Sequence, residues 1–265
     1  MSDAVEAAPT TDVALQGQVF RKALGTYFVN ADGETVVCGV SNRLRKQLIY
    51  PTADPSSRRH RVDAVKGIRC VDPVAIGDIV SFVPAGDGGG MIKEVLPRRN
   101  KFTRKASGKK DLEQVVVANV DQIVVVMAAA RPSPRWNLLD RYLIDAESAE
   151  LDVVVCITKM DLLEDESLED DLRDLERIGY KVVRTSAVTG DGMDLFKECI
   201  MGRLSVLVGK SGVGKTTLLN AIQPELGLKV KEVSDSTNKG KHTTTHLEMF
   251  TLDIGGSVID TPGMR

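Results

Sequence analysis

The sequence predicts an α/β fold, a doubly wound, mostly parallel sheet with helices on both faces, preceded by a small all-β barrel. Three observations predict it. Short β-rich runs broken by turn signals fill residues 18–95, and apolar strand-like runs alternate with helical spacing from residue 121 onward. Between an apolar run and a helical start at residues 204–220 stands a glycine-rich loop. The 265 residues suffice for two domains, since a domain usually takes about 100–200. Apolar residues at 42% and charged residues at 27% describe a chain able to bury a core rather than a disordered one.

Residues 1–14 are expected to form a flexible tail, because MSDAVEAAPTTD has neither the basic start nor the apolar stretch of a secretory signal. Residues 15–96 carry the runs QVFRKALGTYFV, ETVVCGV, GDIVSFV and MIKEVL, with a turn at Ala31-Asp32-Gly33. Five or so strands in such a length suit a barrel of the OB or SH3-like kind, whose open face often binds RNA. The intervening loop YPTADPSSRRHRVD brings Arg58, Arg59 and Arg61 together as a candidate phosphate contact. PRRNKFTRKASGKK, from Pro97 to Lys110, is expected to be a basic linker, extending over 97–114. In the domain 115–265, strand signals fall at Asp121–Ala129, 153–157 and Lys181–Arg184. Helical spacing covers Leu138–Ala149, Leu168–Ile178 and Met193–Ile200.

Charge is unevenly shared. Up to Lys110 there are 18 Lys and Arg against 11 Asp and Glu, giving +7, whereas the remainder holds 17 against 26, giving −9. A polyanionic partner is therefore expected for the first half. Cys38, Cys70, Cys156 and Cys199 are far apart and form no C-x-x-C pair, which favours reduced thiols and a cytoplasmic location over a zinc site or disulfides. The longest apolar run, Ile123–Ala130, is far short of the roughly 18 residues of a spanning helix, so no membrane contact is expected.

The segment LSVLVGKSGVGKTTLLN contains Gly209-x4-Gly214-Lys215-Thr216 between a strand and a helix, the P-loop pattern in its required setting. Glycines let successive backbone N–H groups turn toward a phosphate at the positive end of the following helix. Gly209, Lys210, Ser211, Gly212, Val213, Gly214, Lys215, Thr216 and Thr217 are therefore assigned to phosphate binding. Lys215 reaches the outer phosphates, and Thr216 supplies a ligand to Mg²⁺.

A candidate base-reading motif stands elsewhere: Thr158-Lys159-Met160-Asp161, after the apolar run VVVCI, resembles the N-K-x-D guanine motif of GTPases. An Asp carboxylate accepts from both the ring N–H and the exocyclic amine of guanine, a pair that adenine lacks, while a Lys stem lies along the ring. Thr158 stands where Asn is usual, so a weaker supporting hydrogen bond is expected. Thr185-Ser186-Ala187 follows the next strand and resembles the S-A-K/L loop of GTPases, a resemblance that implies Ser186 and Ala187 line the base, with a backbone N–H on the guanine carbonyl. Downstream of the P-loop come Gly240-Lys241-His242-Thr243-Thr244-Thr245 and Asp260-Thr261-Pro262-Gly263. The last is a D-x-x-G motif, in which Asp260 joins Thr216 and the switch residue Thr244 around the metal and the Gly263 N–H meets the γ-phosphate. Met264 occupies the position where GTPases commonly carry the water-orienting Gln, and a thioether cannot serve. His242 is the candidate to orient the attacking water, beside Lys215 as the catalytic cation.

Base motifs thus precede phosphate motifs, the reverse of the ordinary order. All these loops lie at the carboxyl edge of one sheet, so relinked termini preserve the pocket. A barrel with GDIV at 77–80, then LPRRN, TKMD, TSA, GKSGVGKT, GKHTTT and DTPGMR closely resembles the family of ribosome small-subunit-dependent GTPase A, from about Gly17 onward. The resemblance implies an OB fold and a circularly permuted G domain, truncated here at its second switch. It implies hydrolysis of GTP, with Mg²⁺, to GDP, stimulated by the small ribosomal subunit and its rRNA during late maturation. A monomer is expected. The resemblance also implies a carboxyl-terminal zinc domain; the sequence stops at Arg265 without such ligands. Two other readings stay open: a P-loop kinase, which TKMD disfavours, and an RNA-binding scaffold without turnover.

Overall fold

The computed structural model describes residues 14–23, 25–45, 72–85, 88–105, 113–164, 166–228 and 247–261. The expected tail, the Arg58, Arg59 and Arg61 loop and GKHTTT lie outside them, as do Gly263 and Met264.

Five strands close the barrel: β1 (Leu15–Ala23), β2 (Thr26–Ala31), β3 (Glu34–Val40), β4 (Ile79–Pro84) and β5 (Gly89–Val95). β1, β2 and β3 form an antiparallel meander, β3 pairs with β5 in parallel, β5 pairs with β4, and β4 returns to β1. The run read as QVFRKALGTYFV divides into two strands around Gly25, whose φ of 81° suits a tight reversal. Val19, Tyr27, Val29, Val80, Phe82 and Ile92 point inward and fill the barrel. A short helix, α1 (Asn42–Arg45), follows β3; no periodicity in so short a segment announces it.

The segment expected as a linker contains structure of its own. β6 (Lys101–Lys105) pairs antiparallel with β7 (Glu113–Ala118) in a separate two-stranded sheet. Two of its arginines are spent inside the chain. Arg98 Nε and Nη2 fork onto the fully buried Asp78 at 2.7 Å each, and Nη2 also donates to Pro73 O at 2.9 Å. Arg99 Nη2 donates to Asp121 Oδ1 at 2.6 Å, and Asn100 exchanges hydrogen bonds with Val120 N and O. Gly77, at φ 88°, lets the barrel approach β7 so closely that a Cβ there would stand 2.0 Å from Ala118 O.

The larger domain holds β8 (Gln122–Ala128), α2 (Trp136–Ser148), β9 (Asp152–Thr158), α3 (Ser167–Ile178), β10 (Lys181–Arg184) and α4 (Met193–Ile200). It continues with β11 (Leu204–Val208), α5 (Lys215–Ile222), β12 (Glu248–Thr251) and β13 (Ser257–Asp260). The sheet runs β10-β9-β8-β11-β13-β12, parallel except for β12. β8 is buried along its whole length, the pattern of a strand covered on both faces. α2 and α3 cover one face through Leu139, Tyr142, Leu168 and Leu172. α4 and α5 cover the other through Phe196, Ile200, Leu218 and Leu219, each contributing about 1.5–3 kcal/mol by burial. Among the described residues no helix is long and apolar enough to cross a membrane.

From β8 the chain winds outward to β9 and β10, then jumps back to β11 and winds the other way. The reversal opens a crevice at the carboxyl ends of β8 and β11, the usual ligand site of an open α/β sheet. The strands leading to Thr158 and Thr185 thus precede the strand of the glycine-rich loop along the chain, the permuted order expected from the sequence.

Candidate nucleotide site

The loop 209–214 leaves β11 at the crevice and enters α5. Gly209 has φ 153°, and a Cβ there would stand 2.3 Å from Val126 O of β8, so the loop lies against the neighbouring strand. Gly214, at φ 96°, caps α5 in a left-handed conformation that β-branched residues avoid. Lys215 is buried and folds back over the loop, its Nζ donating to Gly209 O at 2.9 Å and Lys210 O at 3.3 Å. Burial pushes its pKa down, and the negative charge of Asp260 opposes that shift. Thr216 lies half-buried in the first turn of α5, with Thr217 exposed beside it.

Asp260 ends β13, buried and opposite Leu207 of β11. The next residue, Thr261, donates its hydroxyl to Leu207 O at 2.7 Å and fixes the chain where it leaves the sheet. A hydroxyl at Thr216 and a carboxylate at Asp260 are the hard oxygen donors that Mg²⁺ takes, so the residues present fit that ion. Thr244 and His242, the other members assigned from the sequence, lie outside the described residues, as does Gly263.

The base motif is bonded directly to the phosphate loop. Thr158 Oγ1 lies within hydrogen-bonding distance of two carbonyls, Val213 O in the loop and Met127 O at 3.1 Å. A hydroxyl carries one proton where an Asn amide carries two, so Thr158 can donate to only one of these carbonyls at a time. Lys159, at φ 59°, donates from Nζ to Gly212 O at 2.9 Å and to Arg131 O. Its stem therefore spans the crevice. Burial lowers its pKa, and Asp161 acts in the opposite sense. Asp161 Oδ1 accepts from Ser186 Oγ at 2.5 Å, and that oxygen accepts in turn from Val188 N and Thr189 N at 3.3 and 3.2 Å. Met160 N reaches Thr185 O at 3.2 Å, which holds the two base loops side by side with Ala187 at their rim.

Thr158, Lys159, Asp161, Ser186, Ala187, the P-loop and Asp260 thus meet at one sheet edge. Sequence reasoning missed Arg131, whose carbonyl anchors Lys159. The signal was the R-P-S-P turn directly after β8, at the crevice.

The sequence profile of the RsgA GTPase family matches residues 95–265. A small ribosomal subunit biogenesis GTPase RsgA from Caldanaerobacter subterraneus subsp. tengcongensis is 35% identical over 249 residues, covering 94% of this chain and 73% of that protein. The protein of the same name from Geobacillus thermodenitrificans is 36% identical over 251 residues, 94% of this chain and 74% of its own. Among solved structures, YjeQ from Thermotoga maritima superposes with a TM-score of 0.65 at 31% identity, over 95% of this chain and 75% of that one. YloQ, described as a circularly permuted GTPase, gives 0.58 at 28% identity, over 97% and 74%.

Proposed function

The chain belongs to the RsgA GTPase family, and from that premise we propose that it binds guanine nucleotide at the β8–β11 crevice, hydrolyses GTP there and serves biogenesis of the small ribosomal subunit. One observation carries the site: two motifs more than fifty residues apart in sequence are hydrogen-bonded into one pocket, Thr158 to Val213 and Lys159 to Gly212.

Asp161, oriented by Ser186, accepts from the guanine ring N–H and amine, and the Lys159 stem lies along the base. Ala187 offers its backbone to the guanine carbonyl. The amides of the loop from Gly209, through Lys210, Ser211, Gly212 and Val213, to Gly214 turn toward the phosphates at the positive end of α5, with Thr217 completing that turn. Lys215 moves from its loop carbonyls to the β- and γ-phosphates, a more highly charged acceptor. Thr216 and Asp260 hold Mg²⁺, joined by Thr244; the ion when bound offsets charge on the phosphate oxygens. His242 orients the attacking water, and the Gly263 amide meets the γ-phosphate. The barrel and the basic segment after it meet rRNA through phosphates, which makes the affinity fall with salt. Work on ribosomal subunits fits a cytoplasmic location, and the protein is proposed to act there as a monomer.

Two measurements test the proposal. Equilibrium titration is expected to show GTP and GDP bound and ATP excluded. Co-sedimentation with small subunits is expected to be stronger with a non-hydrolysable GTP analogue than with GDP. Equal binding of ATP and GTP would overturn the base pocket, and no retention on small subunits with either nucleotide would overturn the partner.

A further inference from the structure

Strand register ties the barrel to the phosphate site. β1 meets β12 at Arg21 opposite Glu248, β12 lies on β13 with Glu248 opposite Asp260, and Asp260 faces Leu207 of β11. Residues directly opposite on neighbouring strands project from the same face. Arg21, Glu248 and Asp260 therefore form one row, running from the barrel wall to the carboxylate assigned to the metal.

Two carboxylates stand side by side in that row, an arrangement that destabilises a sheet when both are charged. Each has a cation beyond it. Arg21 Nη1 lies 3.4 Å from Glu248 Oε1, and Lys215 lies within electrostatic reach of Asp260. Arg21 is itself held in place, its guanidinium 3.8 Å above the Phe28 ring, and Phe28 packs on Phe20 with centroids 6.3 Å apart. A bulge in β1 between Val19 and Arg21 turns Arg21 to the outer face, while Val19 stays in the barrel core. The barrel thus presents a preset cation to the edge of the G-domain sheet.

We propose that Arg21 is a positioning residue for the phosphate site, masking the charge of Glu248 so that the carboxylate beside Asp260 does not repel the nucleotide phosphates. An isolated exposed ion pair contributes little to stability. This one matters by location, because its acidic member adjoins Asp260, and a polyanion drawing Arg21 away would unmask that charge from outside the pocket. The inference rests on the nucleotide-site reading proposed for the β8–β11 crevice.

The test is the affinity for a fluorescent non-hydrolysable GTP analogue, titrated in EDTA at low salt. The proteins are the wild type, Arg21→Gln, Arg21→Lys, Glu248→Gln and the double variant Arg21→Gln/Glu248→Gln. Without a metal ion the ligand is purely anionic, so an unmasked carboxylate one strand from Asp260 weakens binding by about threefold in Arg21→Gln. Arg21→Lys and Glu248→Gln stay near wild type. The double variant returns to wild type, a suppression that damage to the fold would not show. At about 1 M salt the difference collapses. Wild-type affinity in Arg21→Gln, or a double variant as weak as Arg21→Gln, would overturn the inference while leaving the nucleotide site intact. Failure of the wild type to bind the analogue even with Mg²⁺ restored would overturn both.

Discussion

Replacing Asp161 with Asn exchanges a charged double acceptor for a group with one acceptor and one donor, at the point where guanine offers two donors. Ser186 decides which way the new amide turns. Its hydroxyl donates to Asp161 Oδ1 at 2.5 Å and would keep donating to the amide oxygen, which points the NH₂ toward the base. The ring N–H and amine of guanine each lose a charge-assisted bond of about 1.5–3 kcal/mol, and two donors then face each other. A net loss of about 3–5 kcal/mol is expected, or roughly a 10²- to 10⁴-fold weaker affinity for GDP at about 1.4 kcal/mol per decade. Xanthine nucleotides, which carry a carbonyl in place of the amine, become the preferred ligands. Competition titration of GDP, XDP and ADP against a fluorescent guanine nucleotide measures this. An Asp161→Asn protein that still prefers GDP by the wild-type margin would refute the reasoning, because no other described side chain is assigned to read that edge.

Lys215→Ala removes the cation on the outer phosphates and is expected to lower GTP turnover by at least about 10²-fold, measured by phosphate release; unaltered turnover would dissolve the phosphate-loop assignment. Arg98→Met leaves the fully buried Asp78 without its forked partner and is expected to cost about 3–5 kcal/mol, read as a lower urea midpoint, whereas a shift under about 1 kcal/mol would show that the clasp is not structural. His242→Ala, assayed with small subunits present, is expected to lose most turnover at unchanged GTP affinity; full stimulated activity would assign water orientation elsewhere.

Period and motif carried the reading of the chain where local chemistry alone decides structure. The apolar run of β8 and the turn glycines around Lys215 declare their local structure within a few residues, the Asp161 tetrapeptide stands out as a motif at the end of β9, and the permuted order is evident from their succession along the chain. The parts that stayed illegible depend on distant partners. Arg98 and Arg99 read as linker charge because nothing local shows that Asp78 is buried within reach of one and Asp121 beside the other. β12 is four residues long and half-buried, too short for a periodicity, and it pairs only because β13 and β1 flank it. Arg131 escaped notice because its contribution is a backbone carbonyl, to which only the R-P-S-P turn at the crevice points.

The central claim is that the pocket turns over GTP under the control of the small ribosomal subunit. Phosphate release from GTP, measured for this chain alone and with purified small or large subunits, tests it most directly. Slow turnover alone, a rise of at least about tenfold with small subunits and no rise with large ones are expected. Turnover that is absent under every condition, or indifferent to the small subunit, would contradict it.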